Sequence, residues 1–259
     1  MTRADPALTD DEFLGGRLRI MQPKIGFRAG TDTVLLAAAV TATPGQSVLE
    51  LGAGVGTASL CLAHRVGGLD LVALELQADY AALAAKNADA NRLALEVVVG
   101  DVAKLPQGLR SRSFDHVIAN PPYFDIARHA APADPGRATA HVDDADCLAS
   151  WVDVALRRLR PGGHMTMINH AERLTELLAS LAAKDCGDIM IRPVAGRAGR
   201  AAGRIILRCR KSARGALTLL PPVVLHADAA ETGAGGLSPW ARGVLRDGRA
   251  LPWAGVESD

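Results

Sequence analysis

The sequence predicts an α/β protein built on a mostly parallel sheet. Three observations carry this. Strand-type and helix-type segments alternate across residues 47–169, a glycine-rich turn (GAGVG) follows the first strand-type run, and a later run, FDHVI, halts in NPPYFD. Such alternation needs crossover connections, which put helices over a parallel sheet and leave its ligand crevice at the strands' carboxyl ends.

The elements follow in order. Residues 9–12 fit a short capping box before Phe13 and Leu14, and Gly15-Gly16 reads as a hairpin turn between FL and RLRI. TDTVLLAAAV reads as a helix behind a Thr31 or Asp32 cap, ended by Pro44-Gly45. SVLEL is then a buried strand, VGTASLCLAHRV a helix, DLVALEL a strand, ADYAALAAKNADANRL a helix, LEVVVGD a strand and FDHVIAN another. A polar loop over residues 125–141 leads to the helix DADCLASWVDVALRRLR and the strand GGHMTMIN. Past the helix AERLTELLASLAAK, DIMIRPV and GRIILRCR have no helix between them, so an antiparallel pair is expected to close the sheet. The tail from Gly233 is punctuated by Gly and Pro around a short helix in SPWARGVLRDG. This divides one compact domain into an N-terminal extension over the site (1–45), a core (46–220) and a C-terminal extension (221–259).

Composition removes several classes. With 259 residues, 49% of them hydrophobic and 22% charged, the chain can bury a sizeable core and is not disordered as a whole. Its first residues carry acids and glycines where a signal peptide needs an apolar centre, and no run approaches the ~20 apolar residues of a membrane span. A cytoplasmic protein is expected. Cys61, Cys147, Cys186 and Cys209 lie far apart with no CxxC pair, which suits reduced, packed thiols rather than zinc or disulfides. The net charge of +1 excludes a uniformly basic nucleic-acid binder. Yet residues 189–227 contain no acid while carrying Arg192, Arg197, Arg200, Arg204, Arg208, Arg210, Lys211 and Arg214, either a polyanion-binding face or the solvated faces of late strands.

Gly52, Gly54 and Gly56 permit positive φ and close approach of backbone N–H groups to a ligand. A dinucleotide fingerprint would need glycine where Thr57 stands, and the GK[ST] ending of a phosphate loop is missing. Glu75 ends the next strand, placed to accept ribose hydroxyls; Asp101 ends the third, placed to accept an exocyclic amine while the Val102 backbone meets a ring nitrogen. With Glu50 beside the glycines, the crevice is acidic, which disfavours a pyrophosphate and suits the cationic S-adenosylmethionine. On the next strand end, two prolines stop both strand and helix and hold Asn120 on a stiff turn. Asn120 Oδ1 and the Pro121 carbonyl are two hydrogen-bond acceptors on that turn. Pro122 stiffens the turn and Tyr123 offers a stacking face, while Phe124 could equally fill the core.

ELGAGVG, Glu75, Asp101 and NPPY together resemble the class I methyltransferases that modify exocyclic amino groups. An aromatic amine is a poor nucleophile because its lone pair is delocalised into the ring, and the resemblance implies that Asn120 Oδ1 and the Pro121 carbonyl each accept one of its N–H groups, aiming the lone pair at an electrophilic methyl. Nearly the whole chain, including FLGGRLRIMQPKIGFRAGTDTVLLAAAV and LPPVVLHADAA, is similar to the bacterial tRNA1(Val) adenine-N6 methyltransferase family. The resemblance implies a Rossmann-like fold, a mostly parallel seven-stranded sheet with an antiparallel strand near its C-terminal edge. It also implies S-adenosylmethionine as cofactor and a tRNA adenine near the anticodon as target, with no metal and no membrane. GFRAGTD resembles the segment that folds over the cofactor's methionine end, where Arg28 or Thr31 would meet its carboxylate, although a helix cap at Thr31 or Asp32 explains the same residues. The loop with Arg128, His129, Arg137 and His141 would face substrate, and Arg204 and Arg208 would contact RNA. No carboxylate or thiol stands at ligand spacing from those histidines. Three other readings stay open: a protein glutamine-N5 methyltransferase, disfavoured by the short segment before Ser47; a non-catalytic RNA-binding module on the same fold; and an NAD-dependent oxidoreductase, disfavoured by Thr57.

Overall fold

A computed structural model describes residues 7–122, 144–227 and 236–253. β1 (Leu8–Phe13) and β2 (Leu18–Pro23) form an antiparallel hairpin. Residues 9–12 are therefore strand and not a helix cap. The reason is the period-2 pattern of β2, whose Leu18, Ile20 and Gln22 are buried, and which pairs with β1 at every position. The turn falls at Gly15 and Gly16, with φ of 65° and 86°, as the sequence indicates.

α1 (Thr31–Ala39) precedes the main sheet. The alternation then runs β3 (Ser47–Leu51), α2 (Thr57–Arg65), β4 (Asp70–Glu75), α3 (Ala78–Asn91), β5 (Glu96–Val99), α4 (Gln107–Arg110), β6 (Phe114–Ala119), α5 (Asp144–Arg158), β7 (Leu159–His170) and α6 (Leu174–Leu181). β8 (Cys186–Arg197), β9 (Ala202–Lys211), β10 (Thr218–Leu219), β11 (Val223–His226) and α7 (Pro239–Leu245) complete it. The sheet order is β10-β8-β9-β7-β6-β3-β4-β5, with β11 also on β8. β5, β4, β3, β6 and β7 are parallel, and β9 runs antiparallel to both β7 and β8. The expected seven strands and antiparallel member are present. Two short strands, β10 and β11, extend the edge to nine by pairing parallel with β8.

A strand covered on both faces buries every side chain, and all five residues of β3 are buried, Ser47 and Glu50 among them. On one face the core gathers Val48 and Ile118 with side chains of α1, α2, α3 and α7; on the other, Leu49, Leu51 and Met167 meet α5 and α6. Each fully buried leucine contributes roughly 1.5–3 kcal/mol. The chain leaves β3 toward β4 and β5, then returns to lay β6 and β7 on β3's other side. That reversal opens the crevice between the carboxyl ends of β3 and β6.

The last described segment returns to α1. Leu251 N donates to Ala38 O at 2.8 Å and Trp253 Nε1 to Ala39 O at 2.7 Å, satisfying carbonyls that a helix end leaves unpaired. The Arg192 guanidinium, fully buried in β8, donates to the carbonyls of Pro221 (2.8 Å) and Pro252 (2.9 Å). No helix among the described residues is long and apolar enough to cross a membrane.

Candidate active site

The loop after β3 is drawn over the end of β4. Ala53 N donates to Leu74 O at 3.0 Å, and Gly54 N to Glu75 Oε2 at 2.8 Å. The other carboxylate oxygen of Glu75 accepts Gln77 N at 2.9 Å, so two backbone amides fix this buried acid in one rotamer. Gly52 and Gly54 hold φ of 65° and 56°; an added Cβ at Gly52 would run into the Trp151 ring. Next along the edge, Asp101 Oδ1 accepts Ala103 N at 2.8 Å. Asn120 follows β6 directly, with Pro121 buried and Pro122 exposed.

These strand ends wall one cleft of about 590 Å³, lined by Gly52, Gly54, Glu75, Asp101, Val102, Asn120 and Pro122 from the expected set. Phe27, Leu76, Gln77, Tyr80, Ala103, Ser150 and Trp151 complete it. The size suits a small-molecule ligand. Among the described lining residues two are carboxylates and none is Lys, Arg or His. Its donors and acceptors therefore fit S-adenosylmethionine: acids for hydroxyl and amino groups, and apolar and aromatic walls for an adenine.

Several expected site residues lie elsewhere. Glu50 is buried beneath the glycine loop, where its carboxylate accepts Ser59 N at 2.9 Å and the Ser59 hydroxyl. It caps the first turn of α2 from below, so it does not face the cleft. Burial pushes its carboxyl up to about 7 against the downward pull of the Ser59 bonds. The same contact occupies the helix N-terminus that a pyrophosphate would use. Gly56 also serves packing, since a Cβ there would come within 3.1 Å of Ala84 Cβ. Arg28 is tied to the N-terminal hairpin through Asp11 (2.6 Å), Thr9 Oγ1 (2.8 Å) and Pro23 O (2.7 Å). Thr31 opens α1, and neither residue lines the cleft.

The two RNA-contact arginines are likewise spent on structure. Arg204 Nε donates to Asp32 at 2.8 Å, and Arg208 stacks over the Trp253 ring at 4.4 Å while donating to Met190 Sδ. Both point to the face covered by α1 and the C-terminal segment, because period 2 sends them the same way as buried Ile206. Tyr123, Arg128 and Arg137 lie outside the described residues.

Sequence reasoning missed the aromatic walls. Phe27 sits in the KIGFRAG loop and accepts the Tyr80 hydroxyl on its carbonyl at 3.2 Å; Trp151 comes from α5. The chain's scarcity of aromatics, 4 Phe, 3 Trp and 2 Tyr, was the available signal. Asn169 was missed too. It is fully buried at the carboxyl end of β7 and is not among the cleft's described lining residues; its Oδ1 accepts His170 N at 2.8 Å, and its Nδ2 has no hydrogen-bond partner among the described residues. Among the described residues no group of three metal-ligating side chains occurs.

Residues 28–183 match the family model for the methyltransferase small domain. The chain is 31% identical over 180 residues to a tRNA1(Val) (adenine(37)-N6)-methyltransferase of Shewanella halifaxensis, covering 68% of this chain and 72% of that one. A protein of the same name from Dickeya chrysanthemi is 30% identical over 210 residues, 80% of this chain and 81% of the other. Among solved structures, a predicted O-methyltransferase from Agrobacterium tumefaciens superposes with a TM-score of 0.67 at 24% identity, over 85% of this chain and 98% of that one. A methyltransferase from Pyrococcus furiosus gives 0.57 at 16% identity, over 76% and 90%. At those identities the two structures speak for the fold alone.

Proposed function

The chain belongs to the methyltransferase small domain family, and from that premise we propose that it methylates adenine N6 in a tRNA, using S-adenosylmethionine. The curated relatives are named for adenine 37 of tRNA1(Val), and the same base is the reading for this chain. A tRNA substrate also makes the cytoplasm its place of work. The observation that carries the reading is Asn120 on the wall of the same cleft that Glu75, Asp101 and the glycine loop line.

When bound, S-adenosylmethionine supplies a methyl group on a positively charged sulfur. The protein's residues do the rest. Glu75, already held by Gly54 N and Gln77 N, keeps lone pairs for ribose hydroxyls, and Asp101 keeps an acceptor for an exocyclic amine. Asn120 Oδ1 and the Pro121 carbonyl accept the two N–H groups of the target amine and orient its lone pair. Proline contributes doubly here: it fixes φ, and with no N–H of its own it leaves the turn's acceptors unopposed. Catalysis is then positioning and electrostatic assistance in a cleft with apolar and aromatic walls, with no strong base required. The target adenine must leave its stack to reach the turn.

The test incubates the purified protein with methyl-labelled S-adenosylmethionine and total tRNA, total rRNA or release factor, followed by nucleoside and peptide analysis. Label in N6-methyladenosine of tRNA is expected. Label in release-factor glutamine alone would overturn the assignment.

A further inference from the structure

The arginines between residues 189 and 227 fall into two sets, and only one is committed to the fold. Arg192, Arg204 and Arg208 hold Pro221 and Pro252, Asp32, and Trp253 respectively. Arg197 and Arg200 stand at the tip of the β8–β9 hairpin, exposed, with no side-chain hydrogen bond or ion pair among the described residues. Arg200 N donates to Arg197 O at 3.3 Å, and Gly199 between them has φ of 69°. They are thus the two ends of one β-turn, their Cα atoms within ~7 Å of each other.

The sheet puts that turn beside the cleft. β8 runs parallel to β6, so its carboxyl end lies on the same edge as Asn120. Ala119 pairs with Met167, which brings Pro122 level with His170; His170 pairs with Arg204, and Arg204 with Val194. Arg197 therefore stands three residues past the level of Pro122, about 10 Å further out at ~3.3 Å per residue, and three strands across, about 14 Å. The two offsets combine to about 17 Å, within reach of an extended arginine side chain together with the base and sugar of an extruded nucleotide. The stem is anchored by Arg204 to Asp32 in the first turn of α1, so the tip is held in place relative to the cleft.

We propose that the β8–β9 turn is the RNA-backbone grip of this enzyme: Arg197 and Arg200 bind consecutive phosphates flanking the extruded adenine. This rests on the tRNA reading above. A guanidinium fork matches a phosphate's oxygens bidentately, and the residues between the two arginines, Ala198 and Gly199, add no bulk that would keep a backbone away. An acidic peptide would want apolar anchor pockets, whereas residues 196–200 of the turn are all exposed and include no large apolar side chain.

The test compares Arg197→Ala/Arg200→Ala and Arg197→Glu/Arg200→Glu with Arg214→Glu, an equally exposed charge near the opposite end of the same strands. For the first two, KM for tRNA is expected to rise about tenfold or more with kcat at saturation nearly unchanged. The slope of log affinity against log salt should fall by about 0.7 per arginine. S-adenosylmethionine affinity and thermal midpoint should match the wild type, and Arg214→Glu should change neither KM nor slope. Wild-type KM and slope in both double variants, or an equal effect from Arg214→Glu, would overturn the grip while leaving the tRNA reading intact. So would weakened binding of polyglutamate with tRNA binding untouched, which would point to an acidic protein. Failure of the wild type to methylate any RNA would remove both readings.

Discussion

The carboxyl edge of the sheet has two flanks, divided by Asn120. On the β3–β4–β5 side stand acids already engaged by backbone amides: Glu75 by Gly54 and Gln77, Asp101 by Ala103. On the β7–β9–β8 side stand arginines, some locked into the fold and two at an exposed turn with no such partner among the described residues. The difference separates two ways of binding. Acids immobilised before the ligand arrives lose little entropy on binding and can set a geometry. Exposed arginines on a turn attract and hold a polyanion in a salt-dependent way but set no angle at the reacting nitrogen.

Four substitutions probe that division. Asn120→Ala, at the boundary, should lower kcat on the order of 10²–10³-fold while S-adenosylmethionine affinity stays near normal, read by calorimetry and label transfer. An unchanged rate would remove Asn120 from the chemistry. Glu75→Ala should weaken S-adenosylmethionine binding roughly 10–100-fold, the range for a charge-assisted hydrogen bond, with tRNA affinity by filter binding unaffected; loss of both together would show that the flanks are not separable. Glu50→Gln tests whether the buried acid is structural. Because the folded protein holds this carboxyl at about 7 against an ordinary 4.5, its contribution is full below pH 4.5 and is lost as pH rises through 7. The variant's thermal midpoint should gain on the wild type's across that window and run parallel above it. A constant difference across the window would contradict this. Smallest is Arg204→Ala, which should cost about 1 kcal/mol or less of stability and leave the tRNA salt slope as it was, unlike the hairpin-tip pair.

Much of this was readable beforehand, for a definite reason. Alternating buried strands and helices are local patterns, and a glycine turn, a strand-end acid and a double-proline stop are each signalled within a few residues. Facing is not local. The sequence put Glu50 beside the glycines but could not tell that Ser59, in the first turn of α2, would claim it from below. Arg204 and Arg208 belong to a basic run, yet strand period and the returning C-terminal segment turned them inward. Arg28 sat near the expected methionine end until β1 supplied Asp11. Phe27, Tyr80 and Trp151 come from three separate segments and meet only because the topology brings them to one cleft.

The carboxyl end of α1 is closed by Leu251 and Trp253, which follow it by more than two hundred positions. A chain emerging from the ribosome can pair β3, β4 and β6 early, since they are close in sequence and mutually apolar. The helix that carries Asp32 in its first turn cannot finish its bonding until translation has passed residue 253, so the anchor that steadies Arg204 matures last.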